Sequence, residues 1–267
     1  MSTPPKLLKV IACEIALREI CHVAAQSPHL VDLEFLTQGY HDTPALGRDE
    51  IQRRIDAVPA GRYAAILIGY GLCSNILTGL HCPHTPLVIP RAHDCITVFL
   101  GSKERYQRLF ESQPGAYYYT SGWLECVQRR GGKALQQGTT YMPSNFKAAA
   151  EATYAQWVEK YGEEQAQYLR EVMGGWSSNY NAGVLIDFEF TRPLGLRQRV
   201  EGICADQNWR YEEIPGDLDL FKRWLAGDWN PEEFLLVPPG QVVEPSYDSG
   251  VIRCGAGCQG CKCSVAT

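Results

Sequence analysis

The sequence lacks the long hydrophobic run that a membrane-spanning helix requires. No stretch approaches the roughly 20 consecutive apolar residues that cross a bilayer, and the apolar segment at residues 7–17 is interrupted by Lys9, Cys13 and Glu14. No cleavage site built from small residues follows this segment, so it does not resemble a signal peptide. We therefore expect a soluble, cytoplasmic protein that does not act at a membrane.

The sequence also lacks an excess of basic residues. Its 25 Lys and Arg residues are outnumbered by 30 Asp and Glu residues, which gives a formal net charge of -5 at pH 7. Proteins that follow the phosphate backbone of a nucleic acid draw their affinity from clustered Lys and Arg. The charge balance therefore argues against a nucleic-acid partner.

Low-complexity segments and repeats detectable by residue identity are absent as well, and the composition is that of a globular protein. Hydrophobic residues make up 45% and charged residues 21% of the 267 residues, a balance that disordered chains do not have. At roughly 100–200 residues per domain, the length predicts one large α/β unit or two packed ones.

Short apolar runs alternate with helical patterns along the chain. The runs at residues 7–12, 63–69 and 87–90 predict buried strands, and the alternation resumes at residue 183. Strands alternating with helices at this spacing are typical of parallel sheets with crossover helices. The predicted fold class is therefore α/β with mainly parallel sheets, which leaves open two or more similar Rossmann-like units around a central site.

The predicted organisation has three parts. Residues 1–130 form an N-terminal α/β unit, and residues 131–248 form a C-terminal α/β unit with a long helix over 145–173. The Gly-, Gln- and Thr-rich stretch at 131–143 predicts an exposed loop. Residues 249–267 are predicted to form a flexible, cysteine-rich tail.

The unusual feature of the composition is its eleven cysteines. An odd, dense set in a chain of this kind does not indicate a disulfide framework. We expect some of these thiols to bind metal or carry redox chemistry, and others to fill the core.

Three of the cysteines each follow a predicted strand. Cys13 is the first residue of the segment C-E. Cys73 is the last residue of G-Y-G-L-C, and Cys95 is the last residue of P-R-A-H-D-C. Ligands of open parallel sheets bind beyond the carboxyl ends of the strands, so these thiols are predicted to converge. Three cysteines would leave one iron of a [4Fe–4S] cluster open as a Lewis acid. The alternatives, in which the thiols are nucleophiles or merely fill the apolar tops of the strands, stay open.

Polar residues beside these cysteines are candidate catalytic groups. Arg91 could clamp a substrate carboxylate, His93 could act as a general acid, and Glu14 could handle protons and charge. Asp94 has a structural alternative, because it could cap a helix that begins near Cys95.

The segment Gly69, Tyr70 and Gly71 opens like a dinucleotide-binding fingerprint. The third glycine at the required offset is missing, so this signal is weak. Close backbone approach to a cluster or substrate explains the two glycines equally well, and we predict that this segment contacts the cofactor.

Four cysteines in the tail form a C-x3-C-x2-C-x-C pattern: Cys254, Cys258, Cys261 and Cys263. Soft thiolates of this kind can ligate an Fe–S cluster, zinc or copper(I). The pattern differs from the zinc ribbon, which needs two separated pairs. Whether the tail completes the central site or forms its own site stays open.

A shorter motif, H-C-P-H, places His81 and His84 on either side of Cys82. Its composition resembles a metal site, but the spacing matches no closed zinc site and no second ligand pair lies nearby in the sequence.

The sequence resembles an uncharacterised bacterial and archaeal family, domain of unknown function 1638, and the resemblance covers the chain to about residue 248. It rests on I-A-C-E-I at 11–15, I-G-Y-G-L-C at 68–73, I-P-R-A-H-D-C-I at 89–96, L-G-S-K-E-R-Y at 100–106, Y-Y-Y-T-S-G-W at 117–123, and W-x-x-x-x-F-L-x-V-P-P-G ending at Gly240. The family name supplies no activity. Members of the family resemble proteins whose genes neighbour corrinoid-dependent methyl-transfer systems. This resemblance implies a role in one-carbon or redox metabolism. The three strand-end cysteines resemble those of quinolinate synthase in arrangement only.

Two functions from different classes follow. The first is an Fe–S enzyme that acts on a small anionic substrate by elimination, lyase or desulfuration chemistry. The second is a metal-binding accessory protein or metallochaperone that uses the tail cysteines. A protein partner or a homo-oligomer is compatible with both.

Overall fold

The computed structural model of the chain describes residues 4–41, 43–130 and 180–256, together with 154–155, 158–159, 162–163 and 165–167. The strands are β1 (Leu7–Cys13), β2 (Leu30–Leu36), β3 (Ala65–Gly69), β4 (Leu87–Pro90), β5 (Ala116–Tyr119), β6 (Ala182–Asp187), β7 (Arg210–Pro215), β8 (Phe234–Val237), β9 (Val242–Pro245) and β10 (Ile252–Gly255). The α-helices with described bounds are α1 (Leu17–Ala24), α2 (Pro44–Asp56), α3 (Cys95–Phe99), α4 (Lys103–Ser112), α5 (Ser121–Arg130), α6 (Leu196–Gln207) and α7 (Asp219–Ala226). Short 3-10 helices occupy Glu14–Ala16, Gln38–His41 and Glu189–Leu194.

Part of the predicted organisation falls outside these residues. Residues 154–155, 158–159, 163 and 165–167 are helical and lie within the long helix predicted over 145–173. The rest of that helix and the loop predicted over 131–143 lie outside the described residues. Among the described helices, none is long and apolar enough to cross a membrane.

The chain divides into two compact units that are not consecutive in sequence. The first comprises the described parts of Met1–Leu36, Thr43–Val98 and Leu218–Thr267, and the second comprises those of Thr37–Asp42 and Phe99–Asp217. These boundaries differ from the predicted ones at residues 130 and 248. The difference arises because the chain returns after Asp217 to the sheet that begins with β1.

The first unit is built on a five-stranded sheet with the order β2-β1-β3-β4-β8. Strands β1 to β4 are parallel, and β8 pairs antiparallel with β4 at the edge. Ala65 to Ile68 in β3 are fully buried, as expected for a parallel strand that is covered on both faces and therefore apolar throughout. The prediction of an α/β fold with mainly parallel strands is confirmed.

Helix α7 covers the sheet of the first unit through Trp224. The indole is buried, and its Nε1 donates a hydrogen bond to the carbonyl of Val88 at 3.3 Å. A Cβ atom at Gly69 would lie 3.0 Å from the indole Cη2 and 2.5 Å from Cβ of Ala12. Gly69 is therefore needed so that strand β1 and the indole can both approach the end of β3.

The second unit contains a parallel three-stranded sheet with the order β5-β6-β7. Helix α6 connects β6 to β7, and its Val200 and Cys204 share a core with Tyr119 of β5 and Leu185 of β6. This arrangement is a βαβ crossover, which parallel pairing of consecutive strands requires.

A network of ion pairs joins β1, β2 and α2 in the first unit. Lys9 Nζ lies 3.0 Å from a Glu34 carboxylate oxygen, and Arg54 pairs with Glu34 at 2.7 Å and with Glu50 at 2.8 Å. Arg53 also donates to Glu50, at 2.8 and 2.6 Å. Hydrogen bonds from Arg53, and then from Arg54, lower the pKa of Glu50 to about 2.

The low pKa of Glu50 predicts a pH-dependent contribution to stability. Because its pKa falls from an ordinary 4.5 to about 2 on folding, the ionised carboxylate stabilises the folded chain fully above pH 4.5, and this contribution is lost as the pH falls toward 2. We therefore expect Glu50→Gln to lower the free energy of unfolding more at pH 7 than at pH 3. Urea denaturation of both proteins at both pH values measures this, and an equal difference at the two values would contradict it.

Candidate metal centre

The three strand-end cysteines follow three neighbouring strands of one sheet. Cys13 is the last residue of β1, whereas Cys73 and Cys95 lie just beyond the ends of β3 and β4. Strands β1, β3 and β4 are adjacent and parallel, so their carboxyl ends meet at the same edge of the sheet. The prediction that these cysteines lie at the carboxyl ends of parallel strands is confirmed.

This edge contains the point at which the direction of strand addition reverses. The chain proceeds from β1 to β2 on one side and then returns to β3 on the other side of β1. Doubly wound sheets bind their ligands in the crevice at such a switch point. Cys13 and the loop that carries Cys73 follow the two strands that flank it.

The loop after β3 lies directly against the loop after β4. The backbone N–H of Leu72 donates to the carbonyl of Ala92 at 2.8 Å, and that of Cys73 donates to the carbonyl of His93 at 2.9 Å. A Cβ atom at Gly71 would lie 2.7 Å from Cα of Asp94. The predicted close approach at Gly71 is therefore an approach to the chain's own backbone, and the contact of Gly69, Tyr70 and Gly71 with a cofactor stays a prediction.

A strained turn positions Cys73. Cys73, Ser74 and Asn75 have φ values of 33°, 56° and 66°, so three consecutive residues with side chains adopt the left-handed region. Each such residue costs on the order of 1–3 kcal/mol, and strain of this kind is concentrated at functional sites and ligand clamps. The side chains of Ser74 and Asn75 are exposed at this edge.

The thiols of Cys73 and Cys95 have raised pKa values with related causes. Burial, followed by the negative charge of Asp94, raises the pKa of Cys73 to about 12, although a hydrogen bond from the backbone of Cys95 lowers it in part. Burial also raises the pKa of Cys95, with further contributions from Cys73, Asp94 and Cys13. Cys95 is therefore close enough to both other thiols to feel their charges.

These pKa values bear on the nucleophile alternative. The reactive form of a cysteine is the thiolate, and catalytic cysteines lie in electropositive surroundings that lower the pKa. Here burial and the Asp94 carboxylate raise the pKa values of Cys73 and Cys95 and so keep both thiols protonated at neutral pH. The environment favours ligands that lose their protons when a metal binds over nucleophiles that act without one.

Asp94 has the capping role that was one of its two alternatives. Its Oδ1 accepts hydrogen bonds from the backbone N–H groups of Ile96 at 3.0 Å and Thr97 at 3.3 Å. This is the bonding of an N-cap residue, and it fixes the start of α3 at Cys95.

Arg91 bonds to the backbone of distant segments of the first unit. Its Nε donates to the carbonyl of Pro231 at 2.7 Å, and its Nη1 donates to the carbonyls of Gly250, at 2.8 Å, and Ile252. Arg91 thereby ties the start of β10 to the end of β4, and its role as a substrate clamp stays a prediction.

The two other predicted catalytic residues lie at the same edge. His93 is exposed, and its carbonyl accepts the hydrogen bond from Cys73. Glu14 begins the 3-10 helix directly after Cys13. Their proton-transfer roles stay predictions.

The tail cysteines are only partly described. Cys254 lies on β10, where its Sγ donates to the carbonyl of Leu236 on β8 at 3.4 Å. Cys258, Cys261 and Cys263 lie outside the described residues. Within the part of the chain that the structure covers, no three His, Cys, Asp or Glu side chains form a group that could hold a metal ion.

Two features of this edge have little local signal in the sequence. The left-handed turn falls on Cys73 and Ser74, residue types that rarely adopt it, and only Asn75 is a usual occupant. The approach of Gly71 to Asp94 depends on the pairing of β3 with β4. The glycine at position 71 is the only local sign of it in the sequence.

Comparison with known proteins agrees with the resemblance noted in the sequence. The family described as "Protein of unknown function (DUF1638)" matches residues 35–225. No curated protein and no solved structure matches the chain. The chain therefore belongs to the DUF1638 family.

Proposed function

We propose that this member of the DUF1638 family is an iron–sulfur enzyme whose [4Fe–4S] cluster is held by Cys13, Cys73 and Cys95. The observation that supports the proposal is that Cys13, Cys73 and Cys95 follow the carboxyl ends of three adjacent parallel strands beside a switch point. The proposed substrate is a small anion, and the proposed reaction is an elimination, lyase or desulfuration reaction.

The donor set fits such a cluster. Fe–S clusters are held by cysteine thiolates, and soft sulfur ligands favour them over hard cations. The ligands of a cubane stand roughly 6–7 Å apart because the cluster lies between them. The lack of a tight group for a single ion among the described residues is compatible with this spacing. When bound, the cluster would supply one iron without a cysteine ligand as a Lewis acid for the substrate.

The surrounding residues support the same assignment. The backbone of Cys95 partly lowers the pKa of Cys73, and backbone groups close to ligand sulfurs are one of the factors that set cluster potentials. A cysteine that only packed against the carboxyl end of a strand would not require a turn of three consecutive left-handed residues. The strained turn therefore favours a ligand at Cys73 over core filling.

Three polar residues at this edge, of which His93 is exposed and Glu14 and Arg91 are half-buried, are the proposed catalytic residues. His93, in the loop that carries Cys95, is the proposed general acid, and Glu14 next to Cys13 is a proposed proton carrier. Arg91 contributes positive charge near an anionic substrate while its bonds hold the loop in place.

We place this reaction in the cytoplasm and in one-carbon or redox metabolism. The eight cysteines among the described residues are free thiols, which suits a reducing compartment. The metabolic setting is what the resemblance to neighbours of corrinoid-dependent methyl-transfer systems implies.

Iron and sulfide analysis after anaerobic purification tests the proposal. We expect the wild-type chain to be brown, to absorb near ~400 nm and to hold a [4Fe–4S] cluster. Cys13→Ala, Cys73→Ala and Cys95→Ala should each reduce iron and sulfide to near background, because two thiolates cannot hold a cubane. If Cys73 only filled the core, alanine would cost roughly 1–2 kcal/mol of stability and leave the iron content unchanged.

Cys126→Ala is the matched control. Cys126 is a buried thiol in α5 of the second unit, and its Sγ donates to the carbonyl of Trp123 at 3.2 Å. The Cys126→Ala chain should therefore hold as much iron and sulfide as the wild type. Equal iron in the wild type and in all four variants would refute the proposal, and loss in Cys126→Ala alone would mean that the wrong thiols had been chosen.

A further inference from the structure

The loop after β3 places two polar side chains at the carboxyl edge of the first sheet. Ser74 and Asn75 follow Cys73 directly, and both side chains are exposed. Because consecutive Cα atoms are about 3.8 Å apart, the Cα atom of Asn75 lies within about 8 Å of that of Cys73. The two residues are therefore close neighbours of a proposed cluster ligand.

The backbone of this turn is one that glycine would adopt more readily than the residues present. Ser74 has a φ value of 56°, in the left-handed region that a residue with a Cβ atom adopts at a cost. Asn75, at 66°, is of a type that tolerates this region better than most. The chain therefore bears a hydroxyl group and an amide group on a strained turn, and strain of this kind is concentrated at functional sites.

The hydrogen-bond donors of Ser74 and Asn75 are not used within the described chain. The backbone N–H groups of Leu72, Cys73 and Ile76 all donate to carbonyls of the first unit. Those of Ser74 and Asn75 have no acceptor among the residues that the structure describes, and neither do the hydroxyl and the amide of their side chains. Two adjacent residues thus carry two N–H groups, one O–H group and one amide that a ligand can use.

The charges at this edge suit a carboxylate better than a phosphate. Within the segments 13–14, 69–75 and 91–95, Arg91 alone has a permanent positive charge, and its guanidinium already donates to three backbone carbonyls. The same segments contain the acidic Glu14 and Asp94. Phosphate groups are typically recognised by Arg or Lys, whereas neutral N–H and O–H donors are sufficient for a singly charged carboxylate, as at a helix N-cap.

We propose that Ser74 and Asn75 bind a carboxylate group of the substrate, so that the small anion of the proposed function is a carboxylic acid. Their N–H, O–H and amide groups donate hydrogen bonds to the two carboxylate oxygens. No covalent bond is made or broken at the turn, because its role is to bind and orient the substrate beside Cys73. This inference rests on the proposed function, which places the reaction at the three strand-end cysteines.

Binding of lactate to the full chain, purified anaerobically with its cluster, tests the proposal. Lactate is the probe because it joins a carboxylate to a hydroxyl group that an open iron can bind. We expect lactate to change the EPR spectrum of the reduced cluster in a saturable titration. Lactamide, in which a neutral amide replaces the carboxylate, and inorganic phosphate should not produce this change.

Two substitutions remove one donor each and preserve the turn. Asn75→Asp replaces the amide by a carboxylate of the same shape, and Asp also tolerates the left-handed region. Ser74→Gly removes the hydroxyl, and glycine adopts a φ value of 56° without strain. Each change should raise the dissociation constant of lactate about 10–100-fold, as expected for the loss of a hydrogen bond to a charged group.

Asn208→Asp is the matched control. Asn208 is likewise an exposed asparagine in the left-handed region, with a φ value of 56°, but it lies in the second unit. The same substitution there should leave both the iron content and the lactate affinity at the wild-type level. Iron and sulfide analysis establishes that each variant carries its cluster, and Asn75→Gly replaces Asn75→Asp if the latter does not.

Several results would overturn the proposal. Wild-type lactate affinity in cluster-loaded Ser74→Gly and Asn75→Asp would show that the turn does not bind the carboxylate. Loss of iron in both, and in Asn75→Gly, would assign the turn to holding Cys73 alone. Equal binding of lactamide or phosphate would exclude the carboxylate, and so would a loaded wild type that does not respond to lactate. A wild-type chain without a cluster would instead refute the proposed function, and this inference with it.

Discussion

Replacing Gly71 with alanine is expected to lower the free energy of unfolding by about 1–3 kcal/mol and to deplete the proposed cluster. The new Cβ would lie 2.7 Å from Cα of Asp94 and 2.8 Å from its carbonyl carbon, so the backbones of the two loops must move apart. That movement weakens the bonds from Leu72 to Ala92 and from Cys73 to His93. Urea denaturation and iron analysis on the same preparation measure the two effects.

Gly202→Ala is the matched control for this substitution. Gly202 lies in α6, and a Cβ there would meet no heavy atom within 4 Å. Alanine in a helix is favoured over glycine by roughly 0.5–1 kcal/mol, so this variant should be slightly more stable and keep its iron. A Gly71→Ala chain with wild-type stability and full iron content would contradict the importance of the contact between the loops.

Replacing Trp224 with alanine is expected to cost about 3–5 kcal/mol of stability. The indole is only 1% exposed, it contacts the position of Gly69, and its Nε1 bonds to the carbonyl of Val88. Alanine would leave a cavity over the sheet and take away the indole hydrogen bond to β4. Thermal and urea denaturation measure the loss.

Two further substitutions divide this effect into its causes. Trp224→Phe keeps most of the apolar packing while removing the hydrogen bond, so it should cost less than Trp224→Ala. Tyr247→Ala removes an aromatic side chain that is fully exposed, and it should change the stability by less than about 0.5 kcal/mol. Similar losses in Trp224→Ala and Tyr247→Ala would disprove the packing argument.

The fold class and the strand ends could be predicted because buried parallel strands have a local signature. Ala65–Gly69 is apolar at nearly every position, since both faces of β3 are covered. The same runs located the ends of β1 and β4, and therefore the edge at which Cys13, Cys73 and Cys95 lie.

The features that could not be predicted depend on contacts between distant segments. The antiparallel pairing of β8 with β4 joins residues far apart in the chain, and no local pattern encodes such a partner. The position of Gly255 near His81 also depends on contacts between distant segments, because Val242 of β9 pairs with Gly255 and bridges to His81.

The return of the chain to the first sheet sets an order of events during synthesis on the ribosome. Most of the second unit is translated between β4 and β8, which takes on the order of ten seconds at roughly 5–20 residues per second. Throughout that interval β4 is an uncovered sheet edge, and uncovered edges are templates for wrong pairing. Trp224 and the carbonyls that hold Arg91 follow the second unit in the chain and are translated after it. The nascent sheet is thus most exposed to aggregation while the second unit is being made, and its completion awaits the last part of the chain.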